Sequence, residues 1–231
     1  MSGYLLKQET IDVTGAAALR IRSLLNQQQF SDPLGAAAAV GISSAAWPMF
    51  GLLWPSGLHL AAAMARRPMQ ADESILEIGC GLALASLVSH RRGALVTASD
   101  SHPLAGEFLL ENLRLNALPP LRYCHGDWTP HAQPQTALSL GQKPYVQGRF
   151  DLIIGSDVLY ERDEAGTLAA FIARHALPVS EVLIVDPNRG NRPVFSRHMA
   201  ALGYALEDVA IKSLPSAVVA YSGRLLHYRR G

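Results

Sequence analysis

The chain is 231 residues long, with 20 basic and 19 acidic side chains and a formal net charge of +1. That length suits one domain with a full hydrophobic core, and the balanced charge excludes the electrostatic footprint of a general nucleic-acid binder. Two cysteines, Cys80 and Cys124, are too few for a disulfide framework and show no metal-ligand spacing with the histidines; they fit a reducing compartment, and with no signal pattern at the start the expected location is cytoplasmic.

Tyr4 to Ile11 reads as an edge strand, and Ala16 to Asn26 fits either a helix or a strand. Gly35 to Val40 suits a short helix and Ile42 to Phe50 a loop. Pro33 to Ala65 carries no Asp, Glu, Lys or Arg, longer than the roughly 20 residues that span a bilayer. It is mostly Ala, Gly and Ser and is broken by Pro48 and Pro55, so we read it as packed on the domain rather than in a membrane. Residues 1–50 are expected to form an extension packed on the main domain, residues 51–231. Ser56 is a candidate N-cap for a helix over Leu58 to Arg66.

From Ser74 the pattern alternates regularly. Strands are expected at 74–78, 94–98, 121–125, 150–155 and 180–185, followed by helices at 82–91, 103–116, 162–175 and 191–202, with an irregular stretch, 129–148, after the third strand. Apolar runs at 204–212 and 217–228 suit a terminal antiparallel hairpin. The fold class is therefore α/β: a Rossmann-like, seven-stranded, mostly parallel sheet with helices on both faces.

In such a sheet a ligand lies beyond the carboxyl ends of the strands, where the winding reverses. Ile75-Leu76-Glu77-Ile78 stops at Gly79-Cys80-Gly81, so a strand meets a glycine turn and then a helix. Two glycines let a ligand approach the backbone, and the helix points its first N–H groups at the turn. Glu77 adds a carboxylate at the lip, which favours a zwitterionic ligand over a bare phosphate. A dinucleotide fingerprint would need a third glycine where Leu84 stands.

Aspartates end four of the five strands: Asp100, Asp127, Asp157 and Asp186. Asp100, 21 residues after Gly79, stands where a carboxylate meets a ribose, or else caps the next helix. Asp127 can accept from an adenine amino group beside the apolar wall of Trp128; the competing reading is a turn Asp and a core Trp. Trp54 is a lid over the ligand or part of the core. If a helical turn starts at Asp157, then Asp157 and Tyr160 share a face and could hold an amine; otherwise Asp157 is a cap and Tyr160 half-buried. The stretch 129–148 suits a substrate-facing flap.

Trp-Pro-Ser-Gly, Glu-Ile-Gly-Cys-Gly, Ser-Asp-Ser-His-Pro-Leu-Ala, Asn-Leu-Arg-Leu-Asn116, Gly-Asp-Trp and Ile-Ile-Gly-Ser-Asp-Val-Leu-Tyr occur in this order. Together they resemble the class I (seven-strand) S-adenosylmethionine-dependent methyltransferases, and among them methyltransferase family 16, best known for methylating lysines of non-histone proteins. The resemblance covers residues 50–186. It implies S-adenosyl-L-methionine as cofactor, with contacts from Trp54, Gly79, Gly81, Asp100, Trp128 and Ser156. The family's Asp-x-x-Tyr, associated with the target lysine, falls on Asp157 and Tyr160. The turn Cys80, Glu77 and Asp127 complete the candidate cofactor residues, with no metal. Asp186-Pro187-Asn188-Arg189 is similar to the Asp-Pro-Gly-Arg of a subgroup acting on an electron-transfer flavoprotein subunit, but Asn188 replaces the glycine. Asn-Pro-Pro-Tyr, which resembles enzymes acting on base amines and glutamine amides, is absent at Ser156-Asp157-Val158-Leu159.

The expected activity is N-methylation of a lysine on a protein substrate. Other readings are a small-molecule amine methyltransferase, an inactive cofactor-binding module, and a nicotinamide oxidoreductase. Leu84 and the lack of a Tyr-x-x-x-Lys pair oppose the last.

Overall fold

Alternation of β-branched runs with amphipathic segments commits the chain to strands and helices in turn, and the computed structural model describes residues 3–129, 144–160, 162–213 and 220–231. The elements in order are β1 (Leu6–Ile11), β2 (Leu19–Leu24), α1 (Ala36–Ala39), a 3₁₀ turn (Trp47–Gly51), α2 (Pro55–Arg66), β3 (Ser74–Ile78), α3 (Leu84–Arg91) and β4 (Leu95–Asp100). Then come α4 (Ala105–Leu115), β5 (Arg122–His125), β6 (Phe150–Ser156), α5 (Thr167–His175), β7 (Ala176–Asp186), α6 (Arg192–Ala201), β8 (Ala205–Lys212) and β9 (Ser222–Arg230).

Seven strands make one sheet in the order β5-β4-β3-β6-β7-β9-β8. The first five are parallel, and β9 runs antiparallel to both β7 and β8, which is the expected terminal hairpin. Period-two alternation feeds two apolar layers. Ile75, Val96, Ala98, Leu152, Ile154, Leu183 and Val185 pack with residues of α2, α3 and α4 on one face. Leu76, Ile78, Ile153, Val182 and Ile184 pack with α5 and α6 on the other. The order runs outward from β3 in one direction and from β6 in the other, so the winding reverses between Gly79 and Ser156.

Residues 19–24, open to either reading in sequence, form a strand paired antiparallel with β1 in a separate two-stranded sheet. Its Leu19 and Ile21 enter the same core as α4, because alternate residues of a strand face one way, and Leu24 at the strand's end is buried with them. The expected loop 42–50 closes in the 3₁₀ turn, which buries Trp47 and Phe50 in that layer. Ser56 does not cap α2: the helix starts at Pro55, and buried Ser56 shares a hydrogen bond with the Tyr221 hydroxyl at 3.1 Å. Proline's fixed φ suits a first helical position better than a capping serine one residue on. The expected helix 162–175 starts only at Thr167, where the Asp163 carboxylate accepts the Thr167 and Leu168 N–H groups at 2.9 Å each. The expected flap lies mostly outside the described residues. Among the described residues no helix is long and apolar enough to cross a membrane.

Candidate active site at the carboxyl edge of the sheet

A cavity of about 1070 Å³ opens beyond the ends of β3, β4, β5 and β6, its wall including all eleven residues from Trp54 to Tyr160 singled out above. Trp54, Glu77, Gly79, Cys80, Gly81, Asp100, Asp127, Trp128, Ser156, Asp157 and Tyr160 all line it, leaving none of the sequence candidates elsewhere.

The glycine turn needs its glycines for different reasons. Both adopt positive φ, +54° at Gly79 and +50° at Gly81. A Cβ on Gly81 would also lie 2.9 Å from the Phe50 carbonyl oxygen, a backbone atom that cannot swing away. Gly81→Ala should therefore cost at least about 2 kcal/mol, lowering the melting temperature by roughly 4–8 °C. Gly93→Ala is the control, since Gly93 has φ +89° and open space around it. A thermal melt with equal losses for both variants would refute the close-approach argument.

The turn's donors are spent differently from the sequence expectation. The Gly81 N–H donates to Asp100 Oδ2 at 2.8 Å, and the Ser86 N–H in the first turn of α3 donates to Glu77 Oε2 at 2.8 Å. Glu77 is not an open carboxylate at the lip but a buried one, 3 % exposed, also taking the Ser86 hydroxyl. The reason is electrostatic: an α-helix start favours an anion, and the chain supplies its own.

Burial pushes the Glu77 carboxyl up to about 7, against the hydrogen bonds from Ser86 that lower it. In the unfolded chain the proton leaves near 4.5, so between these values the unfolded state ionises first. Stability therefore declines as pH rises from about 4.5 to 7, by on the order of 3 kcal/mol in all. Glu77→Gln, melted without ligand, should gain on the parent at pH 8 and lose that advantage near pH 4.5. A difference constant across pH would contradict the assignment.

Asp100 ends β4 with both oxygens engaged, Oδ1 by the His102 N–H and Oδ2 by Gly81, each at 2.8 Å. It is both a turn-holding group and part of the cavity wall, so the two sequence readings coexist. Burial raises its pKa, and the two N–H bonds only partly offset this. Asp127 Oδ1 accepts the Thr129 N–H at 2.8 Å. The Trp128 indole N–H is buried without a partner among the described residues, while its ring packs on the α5–α6 layer. Trp54 is half-buried and donates its indole N–H to the Met49 carbonyl at 2.8 Å, so it offers the cavity a ring face.

Asp157 and Tyr160 do not share a helical turn. Asp157 has φ +57°, and 157–160 is irregular. Tyr160 nonetheless stands on the cavity rim, 54 % exposed. Two features escaped the sequence reading. Phe50, reaching over from the 3₁₀ turn, stacks on His102 with centroids 3.7 Å apart and lines the wall. Arg189, in the loop after β7, pairs with Asp157 Oδ2 at 2.9 Å. The signal for Arg189 was its place at a strand's carboxyl end; nothing local revealed Phe50.

No family model matches the chain. Among curated proteins it is 29% identical over 154 residues to the mouse electron transfer flavoprotein beta subunit lysine methyltransferase, covering 65% of this chain and 54% of that protein. It is 38% identical over 95 residues to mouse protein N-lysine methyltransferase METTL21A, 39% of this chain and 38% of that one. The chain thus spans about half the length, or less, of these relatives. Among solved structures it superposes on a methyltransferase from Pyrococcus furiosus with TM-score 0.57 and 19% identity, covering 86% of this chain and all of that one. It also superposes on magnesium protoporphyrin IX methyltransferase from Synechocystis, solved with S-adenosylmethionine bound, with TM-score 0.51 and 16% identity over 76% and 78% of the two chains. By strand order and by these likenesses the chain has the class I, seven-strand methyltransferase fold, and in sequence it is similar to protein-lysine methyltransferases.

Proposed function

We propose that this protein is an S-adenosylmethionine-dependent N-methyltransferase whose acceptor is a lysine of a protein. The observation that carries this reading is the polarity of the cavity. Carboxylates of Glu77, Asp100, Asp127 and Asp157 line it, and burial raises the pKa of Glu77, Asp100 and Asp157. Such a wall repels a pyrophosphate but gains from ribose hydroxyls, an ammonium or a sulfonium, each of which favours the ionised carboxylates. The Trp128 indole N–H, without a partner among the described residues, is a donor that a heteroaromatic ring can satisfy.

The residues fit the cofactor as follows. Asp100 would take the ribose hydroxyls, Asp127 and Trp128 the adenine, and Glu77 with the Gly79–Gly81 turn the amino-acid end, between Trp54 and Ser156. The cofactor supplies a methyl group already activated on a sulfonium. The chain's own task is to hold an amine nitrogen in line at about 3–3.5 Å, where orientation contributes roughly 7–11 kcal/mol. We assign that task to Asp157, as acceptor of an N–H, and to Tyr160 on the rim. A protein lysine is favoured over a small amine by the two curated relatives, both lysine methyltransferases by name. The two free, buried thiols of Cys80 and Cys124 support a cytoplasmic setting.

Calorimetry should show heat with S-adenosylmethionine and none with NADH. Tritium from the labelled cofactor should then appear as methyl-lysine in a heat-treated cell extract. No cofactor heat, or label confined to small molecules, would overturn the reading.

A further inference from the structure

Two backbone positions beside the amine site adopt a conformation that L residues rarely accept. Asp157 has φ +57° and Asn188 φ +66°; side chains in this region are uncommon, and Asn tolerates it better than most. Each is held by a specific bond. The Asp157 N–H donates to the Val185 carbonyl at 2.9 Å. The Asn188 N–H donates to Asp186 Oδ2 at 2.8 Å, closing a side-chain turn that presents the next residue, Arg189. The two turns meet where Arg189 Nη2 donates to Asp157 Oδ2 at 2.9 Å. Asp157 Oδ1 is buried without a hydrogen-bond partner among the described residues. Asn188 is an L residue that tolerates the left-handed region, so it can hold the turn that precedes Arg189.

We propose that Arg189 is a positioning residue that keeps Asp157 charge-balanced, so that the site receives the acceptor nitrogen as a neutral amine rather than as an ammonium. This rests on the function proposed above. Only a neutral amine has the lone pair that attacks a methyl group, and lysine ordinarily carries its proton up to a pH of about 10.4. A lone carboxylate beside it holds that proton more firmly. With a guanidinium on Oδ2 the pair is neutral overall, and Oδ1 is left to accept one N–H without stabilising a cation. The acceptor's proton leaves to water before the N–C bond forms and the C–S bond breaks.

The other groups acting on this spot are already committed. Asp186 is 1 % exposed and engaged by Asn188, Arg192 pairs with Asp208 at 3.1 Å, and the Tyr221 hydroxyl bonds Ser56. Tyr160 stands on the same loop as Asp157, at the rim. Arg162, the other arginine of the wall, pairs with Glu164. Arg189 is the cation in contact with Asp157 among the described residues.

The test compares the parent with Arg189→Ala, Arg189→Gln and Arg189→Lys, using tritiated cofactor and the heat-treated extract from pH 6 to 10. The Ala and Gln variants should shift the acid limb of kcat, which reports the bound acceptor, upward by about one pH unit, with cofactor affinity unchanged, and Lys should restore it. A loss uniform across pH, or no shift, overturns the proposal. If the parent labels no extract protein, the methyltransferase reading has failed separately. Arg189 is then decided by ¹³C NMR of the Asp157 carboxyl, assigned with Asp157→Asn. Its titration should move up in the Ala and Gln variants and return in Lys; an unmoved titration overturns the proposal in that case too.

Discussion

Asp100→Ala should lower the affinity for S-adenosylmethionine by about 10²–10⁴-fold. The estimate follows from two ribose hydroxyls donating to one carboxylate, each bond to a charged group contributing about 1.5–3 kcal/mol, with about 1.4 kcal/mol per factor of ten. The complication is that both oxygens already accept backbone N–H groups, from Gly81 and His102. Removing the carboxylate therefore loosens the glycine turn as well as the sugar contact. Melting without ligand separates the two effects. Burial raises the Asp100 pKa, so the charge is costly in the free protein and its loss partly offsets the lost turn bonds. The melting temperature should consequently move by a few degrees while affinity falls by orders of magnitude. A calorimetric affinity within threefold of the parent would remove Asp100 from the site and, with it, the sugar-binding geometry.

Most of the fold could be read from period and punctuation. The β3 run ends at Gly79 because apolar alternation stops there and two glycines follow, and the same reasoning places β4, β6 and β7. What periodicity could not decide was Leu19–Leu24, where apolar residues occur at spacings compatible with both a helix and a strand; tertiary pairing with β1 resolves it. The carboxyl-edge candidates converge on one cavity because parallel strands deliver their ends to one rim, whatever lies between them. The internal economy of that rim was hidden. That Glu77 spends its charge on the start of α3, and Asp100 on the turn itself, depends on side-chain distances no spacing encodes. Asp157 misled in a different way. Its three-residue interval to Tyr160 suggested a helical turn, but the positive φ at Asp157 breaks any such turn and sends the loop toward Arg189 instead.

Asp157→Asn should lower kcat by about 10²–10³-fold while leaving cofactor affinity within about threefold, because a displacement of 1 Å at the reacting nitrogen already costs about a hundredfold. The replacement keeps the shape and one acceptor oxygen, so its effect isolates charge and orientation from packing. Tyr160→Phe, on the exposed rim, should cost only about tenfold, since a single solvent-accessible hydroxyl orients less than a buried carboxylate. The decisive arm is the double variant. If Arg189 acts through Asp157, then Arg189→Ala adds little once Asp157 is Asn, because there is no carboxylate left to balance; if Arg189 acts independently, the two losses multiply. Full methyl transfer by Asp157→Asn would end the assignment of the amine site to this loop, however well the cavity bound its nucleotide.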